Sequence, residues 1–362
     1  MRGVIIAGGM GTRLRPLTLR RPKPLIRVAN RPFLEYQVAQ LRAAGADEVV
    51  FATNYMAEAI EAHFGDGSAF DVRMRYAVES EPLGTAGAIR NAVEGLPPDR
   101  CIVFNGDILT DFDIGAIAKS HQERGAKATL TLKKVQRPHP YGVISVDDDF
   151  KVLSFDEPTD EQKRAADRGE KQHGFDYINA GIYILEPDLI AQIPLRKCSI
   201  EREFYPQALS QGVLIVGYPG EGYWLDIGRP AQYVAATRAL LSNEVKAALS
   251  PAGQLENGVW RGKDETIAPD ARIDTGCCLG DGCKIGSGTT LDRYTVLGSN
   301  CRIGTNCRLS GAILGDRVKV ADGSILENCI VDDGCAIGKH TTAANVVLAA
   351  DSRIEAHSAL GI

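Results

Sequence analysis

Aliphatic residues recur at every sixth position through the second half of the chain: Ile267, Ile273, Leu279, Ile285, Leu291, Leu297, Ile303 and Leu309. The register then slips by one and continues through Leu314, Val320 and Leu326, again through Val331, Ile337 and Ala343, and again through Leu348, Ile354 and Leu360. A helix repeats at about 3.6 residues and a strand at about 2, so neither gives this period. A three-sided coil with one short strand per side does, and each side then places one aliphatic residue at an inner corner. Glycine follows the aliphatic residue at Gly280, Gly286, Gly298, Gly304, Gly315 and Gly338, and is expected to allow the turn. Cys277, Cys283, Cys301, Cys307 and Cys335 each lie two residues before a repeat aliphatic, so they are expected to stack along one wall. The simple reading of that wall is a row of small apolar residues; the sharper one is zinc.

The first half follows another rule. Apolar runs at 4–7, 48–52, 72–77, 100–104, 128–134 and 178–185 read as strands. Helix-like stretches at 33–44, 56–64, 85–93 and 114–124 lie between them. This alternation predicts an α/β fold: a Rossmann-like, mostly parallel sheet with helices on both faces. Ligands of such sheets bind beyond the carboxyl ends of the strands, which directs attention to the loops after Ala7 and Phe104. The expected organisation is a catalytic domain over 1–241, a linker over 242–266 broken by Ser250-Pro251-Ala252-Gly253, and the six-residue repeat over 267–362.

Composition narrows the function. The formal net charge is −5, so no basic surface for nucleic acid or anionic membrane is implied, and a few local cations must do any phosphate work. No signal-peptide core or membrane-length apolar run occurs, and a cytoplasmic protein is expected. Nine cysteines without a CxxC pair also fit a reducing compartment.

The first loop, Ala7-Gly8-Gly9-Met10-Gly11-Thr12-Arg13-Leu14, follows a strand and exposes backbone N–H groups of the kind that cradle phosphate. It lacks the third glycine of a dinucleotide fingerprint and the Gly-Lys-Ser/Thr ending of a Walker loop. Downstream, Arg21-Pro22-Lys23-Pro24-Leu25 sets a lysine between two prolines in what reads as a stiff extended segment.

Together these segments resemble the nucleotide-sugar pyrophosphorylase family, whose signature is G-G-x-G-T-R-L followed by P-K-P. The likeness continues along the chain. Residues 79–88, Glu-Ser-Glu-Pro-Leu-Gly-Thr-Ala-Gly-Ala, resemble the family's nucleobase loop. Asn105-Gly106-Asp107 and Trp224-Leu225-Asp226-Ile227-Gly228 resemble its two metal-binding turns, and Tyr141-Gly142-Val143 and Asn179-Ala180-Gly181 its sugar-contacting segments. The repeat resembles the hexapeptide left-handed β-helix. Length and tail are closest to the mannose-1-phosphate guanylyltransferase subgroup.

The resemblance implies that a nucleoside triphosphate and a sugar 1-phosphate combine to an NDP-sugar and pyrophosphate. Mg²⁺ is the implied cofactor, with Asp107 and Asp226 as its carboxylates. Arg13 and Lys23 are implied to neutralise phosphate charge. Ala7, Gly8, Gly9, Gly11, Thr12, Arg13, Glu79, Pro82, Gly84, Thr85 and Asp107 are the implied nucleotide contacts. Lys23, Gly142, Glu157 and Asn179 are the implied sugar-phosphate contacts. Guanine offers two adjacent donors that a carboxylate accepts, so Glu79 favours GTP over the pyrimidine nucleotides. The family's F-x-E-K-P segment reads Phe155-Asp156-Glu157-Pro158 here, so its phosphate-binding lysine is absent. Lys23, or Lys163 from the insert that follows, are the expected substitutes.

Other readings are another NDP-sugar synthase using glucose or heptose 1-phosphate with ATP, UTP or dTTP; a non-catalytic regulatory or structural subunit; and an added acyltransferase using His340 or His357. All candidate catalytic residues precede Ser242, so the tail is expected to serve assembly, in a homo-oligomer, rather than chemistry.

Overall fold

The computed structural model describes residues 1–156, 158–170 and 173–361. Its chain divides into two compact units: Met1–Met10 with Tyr36–Asp226, and Gly11–Glu35 with Ile227–Ile362. Among the described residues, no helix is long and apolar enough to cross a membrane.

The first unit is built on a nine-stranded sheet. Strand Arg2–Ile6 lies between Glu48–Thr53 and Cys101–Asn105, parallel to both, and Arg73–Val78 adds on parallel beyond Glu48–Thr53. The first four strands therefore run as the alternating pattern predicts. The residues of Arg2–Ile6, Glu48–Thr53 and Cys101–Asn105 are buried on both faces, as a helix-covered parallel sheet requires, whereas the edge strand Arg73–Val78 is half exposed. The sheet turns mixed at Phe175–Leu185, which runs antiparallel to Cys101–Asn105, to Ala128–Gln136 and to Val143–Val146. Val152–Asp156 completes that edge, and Ile215–Pro219 pairs parallel with Ala128–Gln136. The helices Ala57–Phe64, Gly84–Val93 and Ile114–Glu123 lie close to their expected bounds. The last of these opens on Asp113, whose carboxylate accepts from the Ala116 N–H at 2.9 Å.

The repeat folds into three sheets of seven, six and six short strands, the three sides of a β-helix, parallel throughout except at the hairpin strand Gln254–Glu256. The aliphatic residues are its core: Leu279, Leu291, Leu297, Leu309, Leu314, Leu326 and Val331 are all essentially buried. The one-residue slips have a structural meaning. Leu279 pairs with Leu297, eighteen residues on, whereas Leu297 pairs with Leu314, seventeen on, and each later coil also advances by seventeen. The lost residue always comes from the corner that follows Leu309, Leu326 and Ala343, so one edge of the prism is consistently tighter. Within the expected 242–266 linker, Val259–Arg261 already pairs with Cys278 and is closed by a hairpin from Gln254–Glu256.

The turn glycines are not those expected. From Leu279 onward, left-handed φ falls three residues before each repeat aliphatic, at Gly276, Gly282, Gly288, Tyr294, Asn300 and Asn306, and onward through His340 and His357. Glycine or asparagine predominates there because both tolerate that region at least cost. The glycines after the aliphatics answer a different constraint. A Cβ on Gly286 would stand 2.6 Å from the Gly304 carbonyl oxygen of the next coil, and one on Gly280 2.5 Å from the Ser299 nitrogen. They permit coil-to-coil approach, not the turn. His340 and His357 stack on successive coils with ring centroids 5.2 Å apart.

The five aligned cysteines, with Cys329, are buried, and their thiols meet carbonyl oxygens, as Cys283 does Gly298 at 3.1 Å and Cys335 does Ala349 at 3.0 Å. This is the packing role their spacing predicts. Exchanging Gly286→Ala is expected to cost about 1–3 kcal/mol by overpacking two coils. Thermal unfolding followed by circular dichroism checks this; an unchanged midpoint would mean that the coils spread freely.

Candidate active site

In the first unit, two aspartates separated by more than a hundred residues are brought side by side. Strand Trp224–Asp226 pairs antiparallel with Ile108–Thr110, and Asp226 sits opposite Ile108, next to Asp107. Two clamps hold this ribbon: Thr110 Oγ1 donates to the Tyr223 carbonyl, and the Tyr223 N–H donates to Asp111 Oδ1, both at 2.7 Å. The Asn105-Gly106-Asp107 turn itself packs on the end of the first strand. The Gly106 N–H donates to the Ile6 carbonyl at 2.9 Å, and a Cβ on Gly106 would lie 2.6 Å from that oxygen. The glycine is therefore needed for close approach, which sets the turn beside Ala7 and Gly8.

The sugar-segment candidates reach the same place by a bulge. The register of Phe175–Leu185 against Ala128–Gln136 shifts between Asn179 and Tyr183, and Gly181 takes φ +76°. Asn179 Oδ1 accepts from the Gly181 N–H at 2.8 Å, fixing the bulge locally. Trp224 Nε1 donates to the Ala180 carbonyl at 2.8 Å and packs edge-on against Tyr141, so the Asp226 strand, the Asn179 bulge and the Tyr141-Gly142 segment are tied together. Asn179 Nδ2 donates to the hydroxyl of Tyr183 and to Glu201. Burial, with the Glu201 charge nearby, pushes the Tyr183 hydroxyl far above its ordinary range, so it stays neutral.

Glu79 lies inward rather than in solvent. It is 8% exposed, its Oε2 accepts from the Leu83 N–H at 3.1 Å, and a Cβ on Gly8 would come within 3.8 Å of that oxygen. Burial raises its pKa, partly offset by the Leu83 amide. The loop is pinned from below: Gly84 takes φ +70° over the Cys198 carbonyl, the Ala86 N–H donates to that carbonyl, and Thr85 Oγ1 accepts from the Ile200 N–H at 2.8 Å. Thr85 thus has a structural partner, while Pro82 and Gly84 are exposed.

That pinning leads to two residues the sequence reading passed over. Glu201 and Arg202 sit on the helical turn Ile200–Phe204, which opens on Ser199 and runs into the helix Tyr205–Ser210. They line a cavity of about 310 Å³ with Gly142, Val143, Ile144, Phe155, Asp156, Asn179 and Pro206. A signal was available in Ser199 and Glu203: Ser199 Oγ accepts from the Arg202 N–H, and Glu203 reaches back to the Ser199 N–H. Glu157 lies outside the described residues, as does Lys171, the other lysine of the insert after Pro158.

Gly11, Thr12, Arg13 and Lys23 belong to the second unit. Gly11 takes φ +60°, and a Cβ there would stand 2.8 Å from the Lys23 Cβ, so loop and lysine stem are in contact. Arg13 is exposed on the short turn Thr12–Leu14. Lys23 opens a 3-10 turn, Lys23–Leu25, so the segment is not extended throughout as expected; only Pro22 and Ile26 at its ends are.

This segment is bound to the β-helix by charge. Arg21 Nη2 meets Asp332 at 3.0 Å and Asp333 at 2.7 Å, Arg27 meets Asp316 at 2.6 Å, and Arg20 pairs with Asp351. Asn30 Nδ2 donates to the Leu297 carbonyl at 2.7 Å. Burial pushes the Asp332 carboxyl up more than Arg21 can offset. Burial also opposes the charge of Asp333, but Arg21, the Asp316 amide and Arg27 outweigh it and hold that carboxyl below its usual range. The tail therefore anchors the segment that carries Arg13 and Lys23.

The family follows from comparison with known sequences. The model of the Nucleotidyl transferase family matches residues 2–243, and that of the EIF2B subunit epsilon LbH domain matches residues 256–360. The chain belongs to the nucleotidyl transferase family, with a β-helix domain appended. It is 36% identical to a mannose-1-phosphate guanylyltransferase of Mycobacterium tuberculosis over 75% of this chain and 77% of that one. It is also 36% identical to a mannose-1-phosphate guanyltransferase of Aspergillus fumigatus over 97% and 91%. Among solved structures, HddC from Yersinia pseudotuberculosis superposes with a TM-score of 0.55 at 29% identity, over 65% of this chain and 97% of that one. A second structure of that protein is complexed with GMP-PN at a TM-score of 0.54.

Arg21→Ala leaves two neighbouring carboxylates without their shared guanidinium and is expected to cost about 3 kcal/mol. Hydrogen exchange at the Leu25 and Ile26 amides, which close the Lys23 turn, should quicken before the rest of the β-helix does. Unchanged exchange there would show that Arg21 does not anchor the segment.

Proposed function

We propose that this chain transfers the guanylyl group of GTP to mannose 1-phosphate, releasing pyrophosphate and forming GDP-mannose. The observation that carries this reading is the ribbon that sets Asp226 beside Asp107 next to the glycine loop. Similarity to the two mannose-1-phosphate guanylyltransferases over most of their length supports the substrates. The buried Glu79 carboxylate, an acceptor without a donor when ionised, supports guanine.

Two carboxylates drawn together by a pair of strands suit Mg²⁺, a hard cation that takes one or two protein carboxylates and fills its other positions with phosphate oxygens and water. Asp107 and Asp226 would hold it. When bound, it supplies charge neutralisation on the triphosphate. A phosphate oxygen of the sugar bonds to the α-phosphorus as the bond from the α-phosphorus to its bridging oxygen breaks, and pyrophosphate leaves with that electron pair. The attacking oxygen is already ionised, so neither a general base nor a covalent enzyme intermediate is needed. Arg13 and Lys23 neutralise the triphosphate, Gly8, Gly9 and Gly11 bring backbone N–H groups close to it, and Asn179 and Gly142 meet the sugar. The protein works in the cytoplasm as a homo-oligomer.

Asp107→Asn and Asp226→Asn are each expected to lower kcat by two or more orders of magnitude without unfolding, because a neutral amide is a poorer Mg²⁺ ligand. Near-normal rates with an unaltered Mg²⁺ requirement would overturn the metal assignment.

The substrates are tested by pyrophosphate release across five nucleoside triphosphates and several sugar 1-phosphates. GTP with mannose 1-phosphate should give the highest kcat/KM, and Glu79→Gln should reduce GTP use more than UTP use, by a factor equivalent to about 1–3 kcal/mol. A different preferred pair would replace this reading with another NDP-sugar synthase; no turnover with any pair would favour a non-catalytic subunit.

A further inference from the structure

A sugar 1-phosphate brings up to two negative charges to a site that already receives a triphosphate. The cavity beside the Asn179 bulge is large enough for a ligand, at about 310 Å³. Its described wall carries two carboxylates, Asp156 and Glu201, one amide, Asn179, and apolar surface from Val143, Ile144, Phe155 and Pro206. Such a wall accommodates a ring and its hydroxyls but repels a phosphate. The single cationic side chain among the described lining residues is Arg202. We propose that Arg202 binds the phosphate of the sugar 1-phosphate, from a different element than the one that bears a lysine in the resembling family. This assignment rests on the reading of the cavity as the sugar-phosphate site.

The mounting of Arg202 suits that task. Its side chain is exposed, but the backbone beneath it is fixed on three sides. Ser199 Oγ caps its N–H at 3.3 Å, Glu203 Oε1 accepts from the Ser199 N–H at 2.9 Å, and Thr85 Oγ1 accepts from the Ile200 N–H at 2.8 Å. Three residues on, buried Tyr205 stacks on Phe155 with centroids 5.4 Å apart, which ties the turn to another part of the cavity wall. The guanidinium therefore projects from a rigid base, so little backbone entropy is lost when it closes on a ligand.

The described carboxylates near the turn also accept from donors other than Arg202. Asp156 Oδ2 accepts from Ser154 Oγ at 2.8 Å and from Ser145 Oγ at 3.2 Å, and Glu201 accepts from Asn179. Glu203, the neighbour in sequence, meets Arg196 at 3.2 Å. A planar guanidinium also offers phosphate two parallel N–H donors, where lysine offers a point charge. Lys163, the insert candidate, sits on the helix Asp160–Asp167 and does not line the cavity.

The test uses the full-length protein and steady-state kinetics with GTP and mannose 1-phosphate, together with calorimetric binding of mannose 1-phosphate and of free mannose. Arg202→Ala should raise the KM for mannose 1-phosphate at least tenfold while the KM for GTP stays within twofold and the melting temperature is unchanged. Arg202→Lys should recover part of the loss, because charge returns without the fork, and Lys163→Ala should leave both constants unchanged. Binding of the sugar phosphate should weaken in Arg202→Ala while binding of free mannose does not. An active wild type with an indifferent Arg202→Ala overturns the assignment alone, as does a KM effect that follows Lys163 instead. A wild type that neither turns over nor binds any sugar 1-phosphate overturns the assignment together with the reading beneath it.

Discussion

Strand Phe175–Leu185 has to serve three neighbours of opposite demand, and the first unit depends on how it does so. Its C-terminal half completes the ladder of Cys101–Asn105, while along its length it pairs with Ala128–Gln136, and at Ile178 it meets Val143. One regular register cannot satisfy all three, because a one-residue shift moves every side chain to the other face. The strand resolves this by shifting register between Asn179 and Tyr183. The irregularity frees a carbonyl for Trp224, turns Asn179 toward Glu201, and brings Gly181 against Asn105. The place where the sheet changes from parallel to mixed is thus also where the sugar and metal candidates meet.

The second unit solves a simpler problem many times. Each coil repeats the same two needs: a left-handed residue at the corner, and no side chain where the next coil's backbone passes. Charge then does what packing does elsewhere. The acidic ladder Asp316, Asp332 and Asp333 holds a peptide of opposite sign, Arg21 to Arg27, by contacts that span some three hundred residues of sequence.

Periodicity made the architecture legible. The six-residue spacing gave the coil and its core, and the strand and helix runs before Leu185 fell within a residue or three of the observed elements. What was not legible depended on partners distant in sequence. The glycines after each aliphatic read as turn residues, because a sequence does not reveal which backbone will pass within 2.6 Å of them. The ties of the 11–35 segment to the β-helix could not be read either, since nothing local marks Arg21 as the partner of Asp333. Glu201 and Arg202 were missed because the stretch after Leu185 shows no clear period; its helical turn is set by capping and by Tyr205 burial. The motif pairs fared better: Asp107 and Asp226, chosen from resemblance, do come together.

The cysteines carry a consequence of another kind. All nine are buried free thiols. Burial holds Cys277 up to about 12, and raises Cys307, Cys329 and Cys335 as well, so these four carry almost no thiolate at neutral pH. Because they are spread from the first coils to the last, their reactivity is a clock of local opening. Each alkylated position, located by mass, would date the moment its own coil separated. The molecule thus has a built-in record of where the β-helix comes apart and in what order.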